Sequence, residues 1–179
     1  MGKIGLFFGS DTGCTEVIVH KTVEILGENI VDLYDMSANK DVSTFYNHES
    51  IIIGVPTWYD GDLQSDWLEF YDDFKTIDFT GKKVAIFGLG DQYGYGEYFV
   101  DGIGILGEVV MENGGQLIGA TSTEGFDYDE SKAEFAHEGE TYFMGLALDE
   151  DNQSDLTEER LIPWLEQIME EFEFVLNSN

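Results

Sequence analysis

The sequence predicts an α/β fold: a three-layer sandwich whose five-stranded parallel sheet runs in the order 2-1-3-4-5. Two observations carry this expectation. Runs of consecutive apolar residues, such as Ile4-Gly5-Leu6-Phe7-Phe8 and Ile51-Ile52-Ile53-Gly54-Val55, lack the alternation of half-exposed strands and read as strands buried on both faces. Between them lie segments of helical apolar period, and strands alternating with helices give a parallel sheet covered on both sides through right-handed crossovers. Five such strands fit a doubly wound sheet that binds ligands at the carboxyl ends of its strands.

The elements follow in order. The first strand closes at Gly9-Ser10. From Thr15, apolar residues at Val17, Ile18, Val23, Ile25 and Leu26 predict a helix ending near Gly27. Ile30-Val31-Asp32-Leu33-Tyr34 is the second strand, and the third spans 51–55, where Pro56 should stop it. Trp67, Leu68, Phe70 and Tyr71 give an apolar face to a helix over 65–74. Lys83-Val84-Ala85-Ile86-Phe87-Gly88 is the fourth strand, and a helix follows over 99–113, ended by Gly114-Gly115. The fifth strand begins over 116–120. It is interrupted by an acidic insertion over 122–140, too long for a bare loop and expected to carry structure of its own. The strand resumes over 142–148. A last amphipathic helix spans 157–175, with Pro163 expected to bend or delay it. No linker or repeat divides the chain. A single domain is expected over 1–176, with 177–179 as a frayed end.

Charge excludes several roles. The 179 residues carry 8 Lys+Arg against 37 Asp+Glu, a formal net charge of −29. Nucleic acid and anionic membrane surfaces repel such a chain, and a basic protein partner is favoured, although solubility alone would also account for the charge. The single cysteine, Cys14, permits no intrachain disulfide. The opening apolar run is too short for a signal peptide or a membrane span, so a cytoplasmic setting is expected.

Three loops at one rim of the sheet carry the chemistry. Ser10-Asp11-Thr12-Gly13-Cys14-Thr15 joins the first strand to a helix N-terminus, where hydroxyls and backbone N–H groups can hold a phosphate without Lys or Arg. An ordinary capped turn would read the same way. The segment lacks the Gly-Lys-Ser/Thr ending of a nucleoside-triphosphate loop, and His20 stands where a cysteine phosphatase needs Arg. The third strand delivers Pro56-Thr57-Trp58-Tyr59-Asp60-Gly61, and the fourth Gly88-Leu89-Gly90-Asp91-Gln92-Tyr93-Gly94-Tyr95. Trp58 and Tyr95, facing each other across a cleft, could sandwich a flat ring; either could instead fold back onto the sheet. Gly102-Ile103-Gly104-Ile105-Leu106-Gly107 matches a dinucleotide fingerprint in letters, but it lies inside a helix pattern and reads as helix packing. Asp149-Glu150-Asp151-Asn152-Gln153 is like a calcium loop, yet Ser154 and Arg160 occupy the positions that need Gly and Glu, so no metal site is predicted.

Ser-x-Thr-Gly-x-Thr, Pro-Thr-Trp and Gly-Asp-Gln-x-Gly-Tyr, each after its strand, together with the last strand resumed at Gly145-Leu146-Ala147-Leu148, resemble the long-chain flavodoxins of bacteria, cyanobacteria and algae. The resemblance covers essentially the whole chain. It implies a flavodoxin-like fold and a low-potential one-electron carrier with non-covalent FMN, working between semiquinone and hydroquinone and catalysing no turnover of its own. Ser10 to Thr15 would bind the phosphate, Trp58 and Tyr95 the two ring faces, and Leu89, Gly90 and Asp91 the pyrimidine edge. The Tyr59-Asp60-Gly61 turn would offer a carbonyl to flavin N5, and Pro56, Thr57, Gly88, Tyr98 and Asp151 complete the implied set. Implied partners are ferredoxin-NADP reductase-like, photosystem I-like or nitrogenase-like proteins, met by a monomer. Asp60, Asp62, Asp91 and Asp151 would disfavour an added electron and keep the potential low. The sequence departs from the family pattern at Cys14, often Lys, at Tyr98, often Asn, at Tyr59-Asp60, at Thr121, and in a longer stretch over 134–141. The alternatives are a quinone reductase of the same fold, which needs an open flavin face, and a flavin-free signalling domain.

Overall fold

A computed structural model describes residues 2–174. The domain limit at 176 and the frayed 177–179 lie outside the described residues, and the last helix, expected to reach 175, ends at Glu171, with Phe172 as its C-cap and Glu173 at a left-handed φ of 59°. The elements are β1 (Ile4–Phe8), α1 (Cys14–Leu26), β2 (Val31–Asp35), β3 (Ser50–Trp58), β4 (Asp62–Leu63), α2 (Ser65–Phe74), β5 (Lys83–Leu89), α3 (Asp101–Glu112), β6 (Gln116–Ile118), β7 (Thr121–Ser122), β8 (Glu134–His137), β9 (Glu140–Phe143), β10 (Leu146–Leu148) and α4 (Thr157–Glu171).

The central sheet runs β2-β1-β3-β5, all parallel, and its fifth position is shared by two short strands. β6 pairs with the start of β5 (Lys83↔Gln116 to Ala85↔Ile118) and β10 with its end (Phe87↔Leu146 to Leu89↔Leu148). The order predicted from sequence is the one observed, with the last strand cut in two by the insertion. Successive strand residues face opposite cores, as strands buried on both faces require. Phe7, Ile51, Ile53, Val84 and Ile86 pack toward α2 and α3, while Leu6, Phe8, Ile52, Ala85 and Phe87 pack toward the α1 and α4 side.

Several boundaries differ from expectation; the helix expected over 99–113, for example, is α3 at Asp101–Glu112. Pro56 does not end β3, which continues to Trp58. Pairing with β1 stops at Gly54, so one edge of β3 is free there and tolerates a residue without an N–H. The apolar stretch over 142–148 is not one strand. Tyr142 and Phe143 belong to β9 in a separate antiparallel sheet, β7-β9-β8, and only Leu146–Leu148 rejoins the main sheet. Gly145 makes the transfer, since a Cβ there would lie 2.0 Å from the carbonyl oxygen of Ile86. The start of the fifth strand ends at Ile118 because α4 takes both peptide groups of Gly119: its N–H donates to Glu171 at 2.7 Å and its carbonyl accepts from the Trp164 indole at 2.8 Å. Finally, α4 runs unbroken through Pro163, which sits on the exposed face, where the unpaired Glu159 carbonyl can turn to water.

The insertion lies along the loop that follows β5. Asp129 and Glu130 N–H groups donate to the Gly96 carbonyl at 2.9 and 3.0 Å, Phe99 N–H to Glu130 at 3.2 Å, and Lys132 N–H to the Asp101 carboxylate at 2.8 Å. Phe99 also packs against Phe126, Tyr128 and Phe143. Gly104 admits this strip, for a Cβ there would stand 2.2 Å from the Lys132 carbonyl oxygen. The glycine run of α3 is thus helix packing, as its place in a helix pattern suggested.

Candidate functional site

The carboxyl ends of β1, β3 and β5 and the loop after β10 enclose a cleft of ≈ 300 Å³. Its first wall is the turn into α1. Gly13 has φ 87°, a left-handed value that glycine adopts without strain, and its N–H donates to Ser10 Oγ at 3.0 Å. No side chain caps α1, so its first N–H groups lack helical acceptors where Ser10, Thr12, Cys14 and Thr15 line the cleft. No Lys or Arg lines it. Such an end suits an anion held by N–H and hydroxyl donors and the helix dipole. Asp11 also lines the cleft, but Gln64 Nε2 and Ser65 Oγ each donate to its carboxylate at 2.8 Å and tie it to the start of α2.

The second wall is the β3–β4 hairpin. Pro56, Thr57, Trp58 and Tyr59 line the cleft, and Thr57 Oγ1 accepts the Gly102 N–H at 2.9 Å, fixing the hairpin on α3. The Trp58 Nε1 is buried with no hydrogen-bond partner. Tyr59 stands at φ 42°, strained for an aromatic residue, and is 64% exposed.

The third wall is the loop after β5, with Leu89, Gly90, Asp91 and Tyr95. Gly90 N–H donates to Leu148 at 3.0 Å. Burial opposes ionisation of Asp91, but N–H groups of Gly94 and Tyr93 and the Asn152 amide donate to it and hold its carboxyl below the ordinary aspartate value. Glu150 and Asp151 close the rim. The Asp151 carboxyl is pushed up by burial and then by its acidic neighbours Asp91, Asp149 and Glu150. The cleft therefore pairs a donor-rich end with an acidic margin.

The structure brings together Ser10, Asp11, Thr12, Cys14, Thr15, Pro56, Thr57, Trp58, Tyr59, Leu89, Gly90, Asp91, Tyr95 and Asp151 of the expected residues. Gly13, Asp60, Gly61, Gly88 and Tyr98 are not on the lining. Gly13 and Gly61 shape their turns, Gly88 lies under Ile103, and Tyr98 packs behind Gly61 rather than facing the cleft. Glu150 is a lining residue that sequence reasoning passed over, although it lies in the acidic stretch already singled out. Buried Gln92 and Asp149, which brace the third wall, had been given no role, although Gln92 belongs to the Gly-Asp-Gln-x-Gly-Tyr motif and Asp149 opens the acidic run after the last strand.

Comparison with known proteins places the chain in a family. The flavodoxin family model matches residues 6–164. A flavodoxin of Synechococcus elongatus is 49% identical over 96% of this chain and 99% of its own, and one of Synechocystis is 50% identical over 94% and 96%. The crystal structure of Fusobacterium nucleatum flavodoxin bound to flavin mononucleotide superposes with a TM-score of 0.87 at 35% identity, covering 96% of this chain and 99% of that one. With a family match over most of its length and relatives aligned almost end to end, this chain belongs to the flavodoxin family, in its long-chain branch.

Proposed function

We propose that the cleft holds one non-covalent FMN and that the protein is a low-potential one-electron carrier between basic redox proteins. The observation that carries this reading is the conjunction, in one cleft, of an uncapped helix end lined with hydroxyls and two aromatic side chains, Trp58 and Tyr95. When bound, the flavin supplies a ring that accepts and releases electrons one at a time. Ser10, Thr12 and Thr15, with the N–H groups that open α1, bind the phosphate. Trp58 and Tyr95 would cover the two faces of the ring and exclude water, and Leu89, Gly90 and Asp91 would meet its edge. The Tyr59–Asp60 peptide would supply a carbonyl acceptor for flavin N5. Glu150 and Asp151 join Asp60, Asp62 and Asp91 in a field that opposes added negative charge.

The formal charge of −29 favours basic partners found by electrostatic steering and disfavours nucleic acid and anionic lipid; the family resemblance implies partners of the reductase, photosystem I or nitrogenase kind. Among the described residues no helix is long and apolar enough to cross a membrane. The carrier works as a cytoplasmic monomer.

Purified protein should be yellow with one FMN per chain, and should relay electrons from a reductase to cytochrome c. Steady NAD(P)H–quinone turnover by the protein alone would support the quinone-reductase alternative and contradict this reading.

A further inference from the structure

The first turn of α3 underlies both ring-binding loops. A Cβ on Gly61 would lie 2.7 Å from Asp101 Oδ2, one on Gly90 would lie 3.0 Å from the Val100 nitrogen, and Gly102 N–H reaches Thr57. Asp101 is 1% exposed, while Asp60 and Asp62 on the same hairpin are exposed. Distance alone does not rank these charges. Water and salt screen an exposed carboxylate, whereas a buried one acts through protein of low dielectric.

Building on the carrier reading, we propose that Asp101, rather than the exposed rim carboxylates, is the group in this chain whose protonation is coupled to electron uptake in the cleft. One electron would pass from the donor protein to the bound flavin, and one proton would pass from a hydronium ion to the Asp101 carboxylate; the O–H bond formed on the carboxyl replaces the one broken in hydronium, water is released, and the negative charge beneath the hairpin is cancelled. The coupling is reciprocal: an electron nearby favours the protonated acid, and the protonated acid favours the electron.

The surroundings fit a carboxyl poised to take up a proton. Burial pushes Asp101 above the ordinary aspartate value, against the Lys132 N–H bond and the Lys132 ammonium, with Glu130 adding to the rise. The other groups around it are the N-terminus of α3, whose dipole favours the charged form, and Tyr98 packed behind Gly61; Asp60 and Asp62 are the chain neighbours of Gly61 on the hairpin. Asp101 is a tuning residue and does not itself touch the ring.

The test follows the Asp101 carboxyl carbon by NMR through a pH titration of the FMN-loaded native protein, oxidised and then reduced. The midpoint should be higher after reduction; the same midpoint in both states would overturn the proposal. In parallel, Asp101→Asn should raise the potential of the lower couple by a shift that persists in about 1 M salt, where the Debye length is about 3 Å. The smaller shift from Asp60→Asn should vanish there. An Asp101→Asn shift that vanishes with it would also overturn the proposal. If Asp101→Asn does not fold, the native titration decides. A chain that takes up no FMN refutes the carrier reading itself, whereas normal FMN uptake with an unmoved Asp101 refutes only this inference.

Discussion

Gln92 and Asp149, both buried, are locked together: the Gln92 side-chain amide donates to Asp149 Oδ2 at 2.7 Å, and the Gln92 backbone N–H donates to the same oxygen at 3.2 Å. The remaining Gln92 oxygen accepts the Asp127 N–H at 2.7 Å. One side chain thus joins the loop that carries Tyr95, the loop after β10 and the insertion.

Replacing Gln92 with Leu leaves a buried carboxylate short of a donor and the Asp127 N–H without its acceptor. A destabilisation of about 1–3 kcal/mol is expected, with weaker FMN binding because Asp91 and Tyr95 lose their brace. Urea unfolding of the apoprotein and fluorescence titration measure the two effects. Unchanged FMN affinity in a folded variant would separate the network from the site.

Tyr59 gives a change of opposite sign. At φ 42° it holds a conformation that costs an ordinary L-residue about 1–2 kcal/mol and Asn less. Its ring is largely exposed, so little packing is lost on replacement. Tyr59→Asn should raise the urea midpoint of the apoprotein. A lowered midpoint would show that the Tyr59 ring contributes more than its backbone strain costs.

Asp101 makes stability depend on pH. Its carboxyl titrates above the unfolded value, so the folded state binds the proton more tightly. Stability contributed by that proton is fully present below the unfolded aspartate value and falls as pH rises through the folded one. Asp101→Asn, which keeps an oxygen for the Lys132 N–H, should therefore stabilise the apoprotein at neutral pH and lose that advantage in acid. Thermal melts of both proteins across the acid range test this. A variant less stable at neutral pH would contradict it.

Gly104→Ala should strike the insertion, because the added methyl would meet the Lys132 carbonyl. Overpacking against backbone costs about 1–3 kcal/mol. Hydrogen exchange should show faster amides over 126–133, with β1 and β3 unaffected. Uniform loosening of the whole domain would argue against a separately docked insertion.

The sequence made the sheet legible wherever strands are buried on both faces, because an apolar run such as Ile51-Ile52-Ile53 admits few other readings. It misplaced β3 at Pro56 and fused β9 with β10, because free edges and sheet changes are set by partners distant in the chain. Trp58, Tyr95 and the turn into α1 could be read from their residue types, for aromatics and hydroxyls beside glycines at strand ends have little structural use. Asp101, Gln92 and Asp149 could not. Each owes its role to a contact across loops, as Gln92 does to Asp149, 57 residues away. Asp101 in particular looks like a routine acidic residue in the first turn of a helix.

The most direct measurement is a fluorescence titration of the apoprotein with FMN beside one with riboflavin, which has the same ring but no phosphate. One FMN per chain, with quenching of both flavin and tryptophan emission and affinity for riboflavin weaker by about tenfold or more, is the result predicted for a helix-end phosphate site next to Trp58. Absence of quenching, or equal affinity for the two flavins, would contradict the assignment of this cleft.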